Sequence, residues 1–456
     1  MLESSGSRRP IAWEHRSFAE LGRLSWPIAI STLSYSVMTL VDTLLVGHLG
    51  AAELAGVGLA GTAAFTVLCF SFGLLRGVKT LVAQAIGAHR PREVEAYRAA
   101  TLIAVGVLGV LSIAAGQLLA FALPHIAASQ AAGQHASTYL TIRNLGAPLA
   151  LLYVGLREVR YGEGDSFSPM FATVTANLVN IALASWFIYG RGWGVAGAAW
   201  ATVIAHGVEA AVVIVAGRLR GARWGVDAVE RRHLRELWRV GLPTGIQFSL
   251  EVGAFSCLAA MVAAMSEVQM AAHQIALQVI HFSFLPAFAV AEAASVLAGQ
   301  AVGADRDDLV RRVARQALAA ASAYTGACTV VFAVAAPLIV RGFTSDPNVA
   351  GPAVMLLHVA AVFQVFDGAN IVARATLRGT GDVRFPAVFG VLTAWALTPP
   401  LTWLLGWKLG LGAFGGWLGL CAEIIAGSLV YWWRIEKRGW AASAARSRAQ
   451  LEAVAA

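Results

Sequence analysis

Twelve apolar runs of about twenty residues, separated by short polar or basic stretches, fill this 456-residue chain. No other feature constrains the fold as strongly. A helix of about 20 residues crosses the roughly 30 Å hydrocarbon core of a bilayer. In that core only helices and closed barrels satisfy their own backbone polar groups. The runs lie near 24–46, 54–80, 97–122, 137–160, 168–189, 195–216, 238–264, 270–302, 313–336, 351–376, 385–406 and 413–433. They predict an all-α polytopic membrane protein with twelve transmembrane helices. Charged residues are only 13 % of the chain, about half the share that soluble domains use to cover their surfaces. That excludes a cytosolic enzyme, a disordered chain and a disulfide scaffold. Residues 1–22 carry Arg8, Arg9, Glu14 and Arg16 without a long apolar core, so no cleavable signal peptide is expected and the first run stays as a membrane helix. Cys69, Cys257, Cys328 and Cys421 each lie inside an apolar run with no metal-ligand spacing. They read as small hydrophobes.

The charges fix an orientation. With both termini inside the cell, the cytoplasmic segments hold 30 of the 34 Lys and Arg, and the outer side holds Arg143, Arg191, Arg341 and Lys408. Basic residues resist translocation, so this split places the chain in the cell (inner) membrane with both termini cytoplasmic. It also explains the net charge of +8 without nucleic acid, since no basic stripe with interleaved aromatics occurs. The longest cytoplasmic connection, 217–237, contains Arg218, Arg220, Arg223, Arg231, Arg232 and Arg235 and divides the spans six and six. The expected organisation is a cytoplasmic N-terminal segment 1–23, a six-helix lobe 24–216, a linker 217–237, a second six-helix lobe 238–433 and a cytoplasmic tail 434–456.

The halves repeat. "SWPIAI" at 25–30 matches "GLPTGI" at 241–246, pairing Pro27 with Pro243; "VAQAIGA" at 82–88 matches "AGQAVGA" at 298–304, pairing Gln84 with Gln300 and Gly87 with Gly303. "GEGDSFSP" at 162–169 matches "GTGDVRFP" at 379–386, and "GWGVAGA" at 192–198 matches "GLGAFGG" at 410–416. All four anchors fall in the same order at separations of 216 to 218 residues. Six spans per half make the repeat parallel, with a pseudo-two-fold axis along the membrane normal. This is a transporter plan in which the site lies at the repeat interface and access alternates by rocking.

Motifs for other chemistry fail. "GLLRGVKT" at 73–80 has too short a glycine interval for a phosphate loop and ends a membrane run, so no nucleotide is expected. "GWGVAG" at 192–197 fits GxGxxG without a βαβ unit around it. No Ser-His-Asp cluster or HExxH occurs. An integral membrane enzyme is therefore the weaker class, and no cofactor is expected.

An ionisable group at mid-membrane costs about 2.5–3.5 kcal/mol or more, so its default reading is functional. Asp42 in the first span, Glu251 in the seventh and Asp367 in the tenth face Leu258, Tyr35 and Ala150 at the repeat positions. Residues shared by both halves serve the fold, whereas a buried charge in one half only points to function; a paired structural carboxylate is the alternative. Glu292, Glu209 and Glu423 also fall in spans, Glu292 with an expected Arg partner and Glu209 with a snorkelling alternative. His206, His273, His281 and His358 read as helix-packing residues. Gln247 shares the face of Glu251 one turn away. Asn177 and Asn180 share a face of the fifth span, as cavity lining or interhelical glue. With Gln278, Phe363 and Gln364 they make the expected substrate cavity.

"LVDTLLVGHLGAAELAGVGLA" at 40–60, "EVGAF…AAHQIAL" at 251–277, "SVLAGQAVG" at 295–303 and "ATLRGTGD" at 375–382 together resemble the multidrug and toxic compound extrusion (MATE) family, over about residues 20–434. The resemblance implies that Asp42 takes part in coupling and that Glu251 and Asp367 bind the coupling cation, as in the NorM-like branch. Two departures are visible. Ala184 stands where the DinF-like branch often has an Asp after the fifth-span Asn, and Phe363 stands where some NorM-like members have a Tyr. The implied function is a secondary antiporter that exports small organic cations in exchange for H⁺ or Na⁺, with Na⁺ at Glu251 and Asp367 as one form of the site. Either ion would compete with a cationic drug for the same negative charge, and aromatic rings would hold the cargo. A lipid-precursor flippase of the wider superfamily is the alternative, but such proteins line their cavity with cations. The expected state is a monomer in the bilayer.

Overall fold

The computed structural model describes residues 10–127, 129–222, 225 and 229–452. Arg8, Arg9 and Arg223 lie outside them. The described residues are helical throughout, without a strand: α1 Ser17–Gly47, α2 Ala51–Gly87, α3 Pro91–Ile126, α4 Gln130–Leu145, α5 Ala147–Gly162, α6 Phe167–Ser185, α7 Gly194–Leu219, α8 Arg231–Met265, α9 Glu267–Gly303, α10 Asp307–Arg341, α11 Pro347–Gly379, α12 Arg384–Leu401, α13 Gly412–Glu436 and α14 Ala441–Glu452. Eleven of these elements are long and apolar enough to cross a membrane. The twelfth span is composite. The run expected at 137–160 is broken between α4 and α5 at Gly146. Pro148 lacks the N–H that would bond the Asn144 carbonyl, and its ring crowds that carbonyl. A Cβ at Gly146 would lie 2.8 Å from Val203 Cγ2, so the break itself is packed against α7. Arg143, read from the sequence as an outer-side charge, therefore sits in the last turn of α4, near the middle of the composite span.

The repeat recurs in the backbone. α1 and α8 each carry an internal proline, Pro27 and Pro243. α6 and α12 both close in wide π turns, Trp186–Gly190 and Thr402–Lys408. The left-handed turn after α2 falls on His89 (φ 56°) and that after α9 on Asp305 (φ 61°). The side chains differ at that turn while the conformation is the same, so the loop geometry, not the residue, is what the two halves share.

The chain divides into two compact units. One comprises residues 30–82 and 90–245, with an apolar core through Val46, Ala60, Leu123, Leu140, Phe187 and Ala199. The other comprises 1–29, 83–89 and 246–456, with a core through Leu258, Ala276, Leu357, Phe363 and Trp417. Each unit takes in a segment from the other sequence half. The start of α8 belongs to the first unit, where Arg232 and His233 bond Glu93 at 2.8 and 3.2 Å. Residues 10–29 belong to the second, where Trp13 Nε1 donates to Gln300 Oε1 at 2.7 Å and Arg306 pairs with Glu14 at 2.6 Å.

The second unit also contains the last turn of α2. A Cβ at Gly87 would lie 2.0 Å from the Gln300 carbonyl oxygen, and one at Gly303 would lie 2.0 Å from that of Gln84. The two backbones touch through a matched pair of glycines. Gln84 Nε2 then reaches the Gly379 carbonyl at 3.1 Å. Asp165 and Asp382, equivalent in the repeat, each hold an arginine: Asp165 pairs with Arg220, and Arg434 Nε donates to Asp382 Oδ2 at 2.6 Å. Shared residues serve the fold, as the repeat argument requires.

Candidate functional site

α11 carries Phe363, Asp367, Asn370 and Arg374 at intervals of three or four, which places them along one helix face. Around its inner part, α8, α12 and α13 bring together a cluster in which the charged groups are half-buried and Gln247, Thr398 and Tyr431 are buried. Arg374 Nη2 lies 2.7 Å from Glu251 Oε1 and 2.6 Å from Oε2. Gln247 Nε2 donates to the same Glu251 Oε1 at 2.9 Å and to the Pro386 carbonyl at 3.3 Å. The Thr398 hydroxyl donates to Glu423 Oε2 at 2.5 Å, and Tyr431 donates to the Pro386 carbonyl at 3.2 Å. The charges acting on Asp367 are those of Arg374 and Glu423. Gly390 of α12 makes this packing possible: a Cβ there would stand 2.7 Å from Glu251 Oε1, 3.0 Å from the Tyr431 hydroxyl and 3.1 Å from Gln247 Nε2. The cluster thus contains three carboxylates and one guanidinium at membrane depth. It is built to hold positive charge, one unit of which is already supplied by the chain.

The structure sorts the other candidates. Asp42 has Arg143 of α4 as its charged neighbour. Arg143 is also hydrogen-bonded to Tyr35 and stacked on the Tyr139 ring at 5.7 Å. One Asp42 oxygen, Oδ1, is buried without a hydrogen-bond partner. In the same unit Asn177 Nδ2 donates to Ser34 Oγ at 2.5 Å, and fully buried Asn180 lies 3.5 Å from Thr202 Oγ1. Phe363 is part of the apolar core and packs on Trp417 with ring centroids 6.1 Å apart. Gln364 is buried and donates to Ser283 Oγ at 2.9 Å. Gln278 is exposed on α9 and contributes nothing to the cluster. Glu292 has an arginine beside it, Arg378 at 3.8 Å, as its position suggested. Glu209 pairs with His206 at 2.9 Å, and His273 accepts from Trp417 Nε1 at 2.9 Å.

Arg374 is the residue that sequence reasoning passed over. The tenth run was read as ending at 376, which made Arg374 a helix-end charge facing the cytoplasm. α11 continues to Gly379, so the arginine lies more than a turn inside it. The signal was present in the repeat: Arg157 occupies the equivalent place, 217 residues earlier, and is also an intramembrane arginine.

A polytopic helical bundle with an internal parallel repeat and ionisable groups held at membrane depth defines a membrane transporter. The comparisons with known proteins name the family. The MatE family model matches residues 27–186 and again 243–404, beginning both times on the paired prolines. The chain is 31 % identical over 433 residues to a probable multidrug resistance protein NorM of Rhodopseudomonas palustris, covering 91 % of this chain and 90 % of that one. It is 31 % identical over 441 residues to a protein of the same description from Burkholderia pseudomallei, covering 93 % of each. Among solved structures, an outward-facing multidrug resistance MATE family transporter of the MOP superfamily superposes with a TM-score of 0.87 at 23 % identity, covering 94 % of this chain and 96 % of that one. The chain belongs to the MatE family; it is a transporter and not an enzyme.

Proposed function

We propose that the protein is a secondary antiporter that exports small organic cations from the cell in exchange for H⁺ or Na⁺, by alternating access of its two halves. The observation that carries this reading is the cluster of Glu251, Asp367 and Glu423, three carboxylates among which Arg374 is the guanidinium that bonds Glu251. Cargo and coupling ion compete for that negative charge, and occupancy by one excludes the other. Relatives described as multidrug resistance proteins support cationic drugs as the cargo class. The distribution of basic residues supports a cell-membrane protein with both termini cytoplasmic. Exchange of one monovalent cation for another moves no net charge, so a tenfold ion gradient supplies about 1.4 kcal/mol. A second ion per cycle adds about 2.3 kcal/mol per 100 mV.

The test is accumulation of a fluorescent cationic dye in everted vesicles under a pH gradient or a Na⁺ gradient, imposed separately. Asp367→Asn and Glu251→Gln are expected to lower the driven rate at least tenfold, and Asp42→Asn to lower it too, with each variant checked for folding and insertion. If neither gradient moves any cationic dye through folded wild type, the reading fails and a lipid-linked or anionic cargo takes its place.

A further inference from the structure

A Na⁺ ion is a hard cation that needs a shell of carboxylate, carbonyl or water oxygens. Glu251 does not offer one. Both of its oxygens face the same Arg374 nitrogen, at 2.6 and 2.7 Å, and Oε1 also accepts from Gln247. A Na⁺ within coordination distance of those oxygens would have to occupy the place of the guanidinium or lie beside it, cation against cation, at a depth where charges are weakly screened. Glu423 is turned to Thr398. Arg374 cannot withdraw by losing its proton, because a guanidinium stays charged in proteins.

We propose that Arg374 is a resident cation of the Glu251 carboxylate that bars Na⁺ from this site, so that Arg374 decides which coupling ion the transporter accepts. The part about coupling rests on the antiport reading above; the part about Na⁺ binding does not. The groups that set the local charge are Gln247 and Glu251 of α8, Asp367, Arg374 and Arg378 of α11, and Glu423 and Tyr431 of α13. Of these, Arg374 alone bonds both Glu251 oxygens. With Na⁺ barred, H⁺ is the ion left to drive exchange. The guanidinium also acts as an internal competitor: a cationic cargo reaches Glu251 only by displacing it.

Two measurements on the full-length purified protein test this. In the first, ²²Na⁺ binding is titrated on wild type, Arg374→Ala, and Arg374→Ala combined with Glu251→Gln. Wild type is expected to show no saturable Na⁺ binding. Arg374→Ala is expected to gain saturable binding, at least tenfold above wild type, and the double variant to lose it. Should Arg374→Ala fail to fold, Arg374→Gln removes the charge and keeps a hydrogen-bond donor, and Arg374→Lys keeps the charge and is expected to remain Na⁺-free. Saturable Na⁺ binding to wild type that Glu251→Gln abolishes overturns the proposal, as does a folded neutral variant that gains none. In the second, proteoliposomes carrying a cationic dye are driven by a pH gradient or a Na⁺ gradient. Wild type is expected to respond to the pH gradient alone, and the neutral variant to respond to Na⁺. Dye that moves under neither gradient defeats the antiport reading, while the binding titration still decides the role of Arg374.

Discussion

Arg157 and Arg374 stand at equivalent places in the two halves, each half-buried on a membrane helix, and they are paired in different ways. In the N-terminal half, Glu158, the next residue in the chain, bonds Arg157 at 2.9 Å and also lies 3.6 Å from Lys79 Nζ. The Arg157 guanidinium rests 5.8 Å from the ring centres of both Tyr153 and Tyr161. Two cations there share one carboxylate and the faces of two rings. In the C-terminal half the acid comes from another helix, and Glu251, Asp367 and Glu423 outnumber the single arginine. The same scaffold residue is thus paired within its own helix in one half and across helices, beside two further carboxylates, in the other. Duplication supplies the arginine; the acids around it differ between the halves.

The largest effect expected from breaking this comparison is on stability. Removing one partner of a buried ion pair costs about 3–5 kcal/mol. Glu158→Gln removes the carboxylate that bonds Arg157 and is expected to reach that range, with Glu251→Gln at or below it, because Asp367 and Glu423 remain near Arg374. Thermal unfolding in detergent reads both. Adding Arg374→Met to Glu251→Gln is expected to recover little, since it removes the cation on which Asp367 and Glu423 then rely. The next effect concerns what the halves share. Gly87→Ala and Gly303→Ala each force a methyl group onto a backbone carbonyl, and overpacking of this kind costs about 1–3 kcal/mol. The two losses are expected to be equal; a clear inequality would show that the crossing is less symmetric than its distances.

The smallest effect separates the segments that precede α1 and α8. Glu14 and Glu230 are repeat equivalents. Glu14 pairs with Arg306, far along the chain, whereas Glu230 bonds Arg232, two residues away. The hydrogen bond from Arg306 holds the Glu14 carboxyl below its usual range. A carboxylate depressed in the folded state contributes stability above its unfolded value of about 4.3, and that contribution is lost as pH falls through the folded value. Glu14→Gln is therefore expected to lower the unfolding temperature slightly at pH 6, and the difference from wild type to shrink as pH falls through the depressed folded value of the carboxyl. Glu230→Gln is expected to match wild type throughout.

The spans, the repeat and the family were legible in the sequence because hydrophobic length and spaced anchors are local signals. The break in the fourth span was not, although Gly146 and Pro148 mark it, because an averaged apolar run hides a single residue that leaves the helix. Asp42, Glu251 and Asp367 stood out because a lone acid in an apolar run is costly. Their partners Arg143 and Arg374 did not stand out, since both lie near the ends of runs where a basic residue is ordinary. Pairing across helices is a tertiary fact. The same limit holds for Phe363 and Gln364, expected as cavity lining: that Phe363 packs on Trp417 and Gln364 bonds Ser283 depends on neighbouring helices and not on their spacing from Asp367.

The exchange of helix starts between the two units bears on how the protein is made. Trp13 is synthesised 287 positions ahead of its partner Gln300. At about 5–20 residues per second, the interval is on the order of tens of seconds. The membrane helices of the first half are inserted during that wait with the segment before α1 still undocked. Docking of the segment before α1 onto the second unit therefore waits until α9 has been made, and until then Trp13 lacks the partner that holds it in the folded protein.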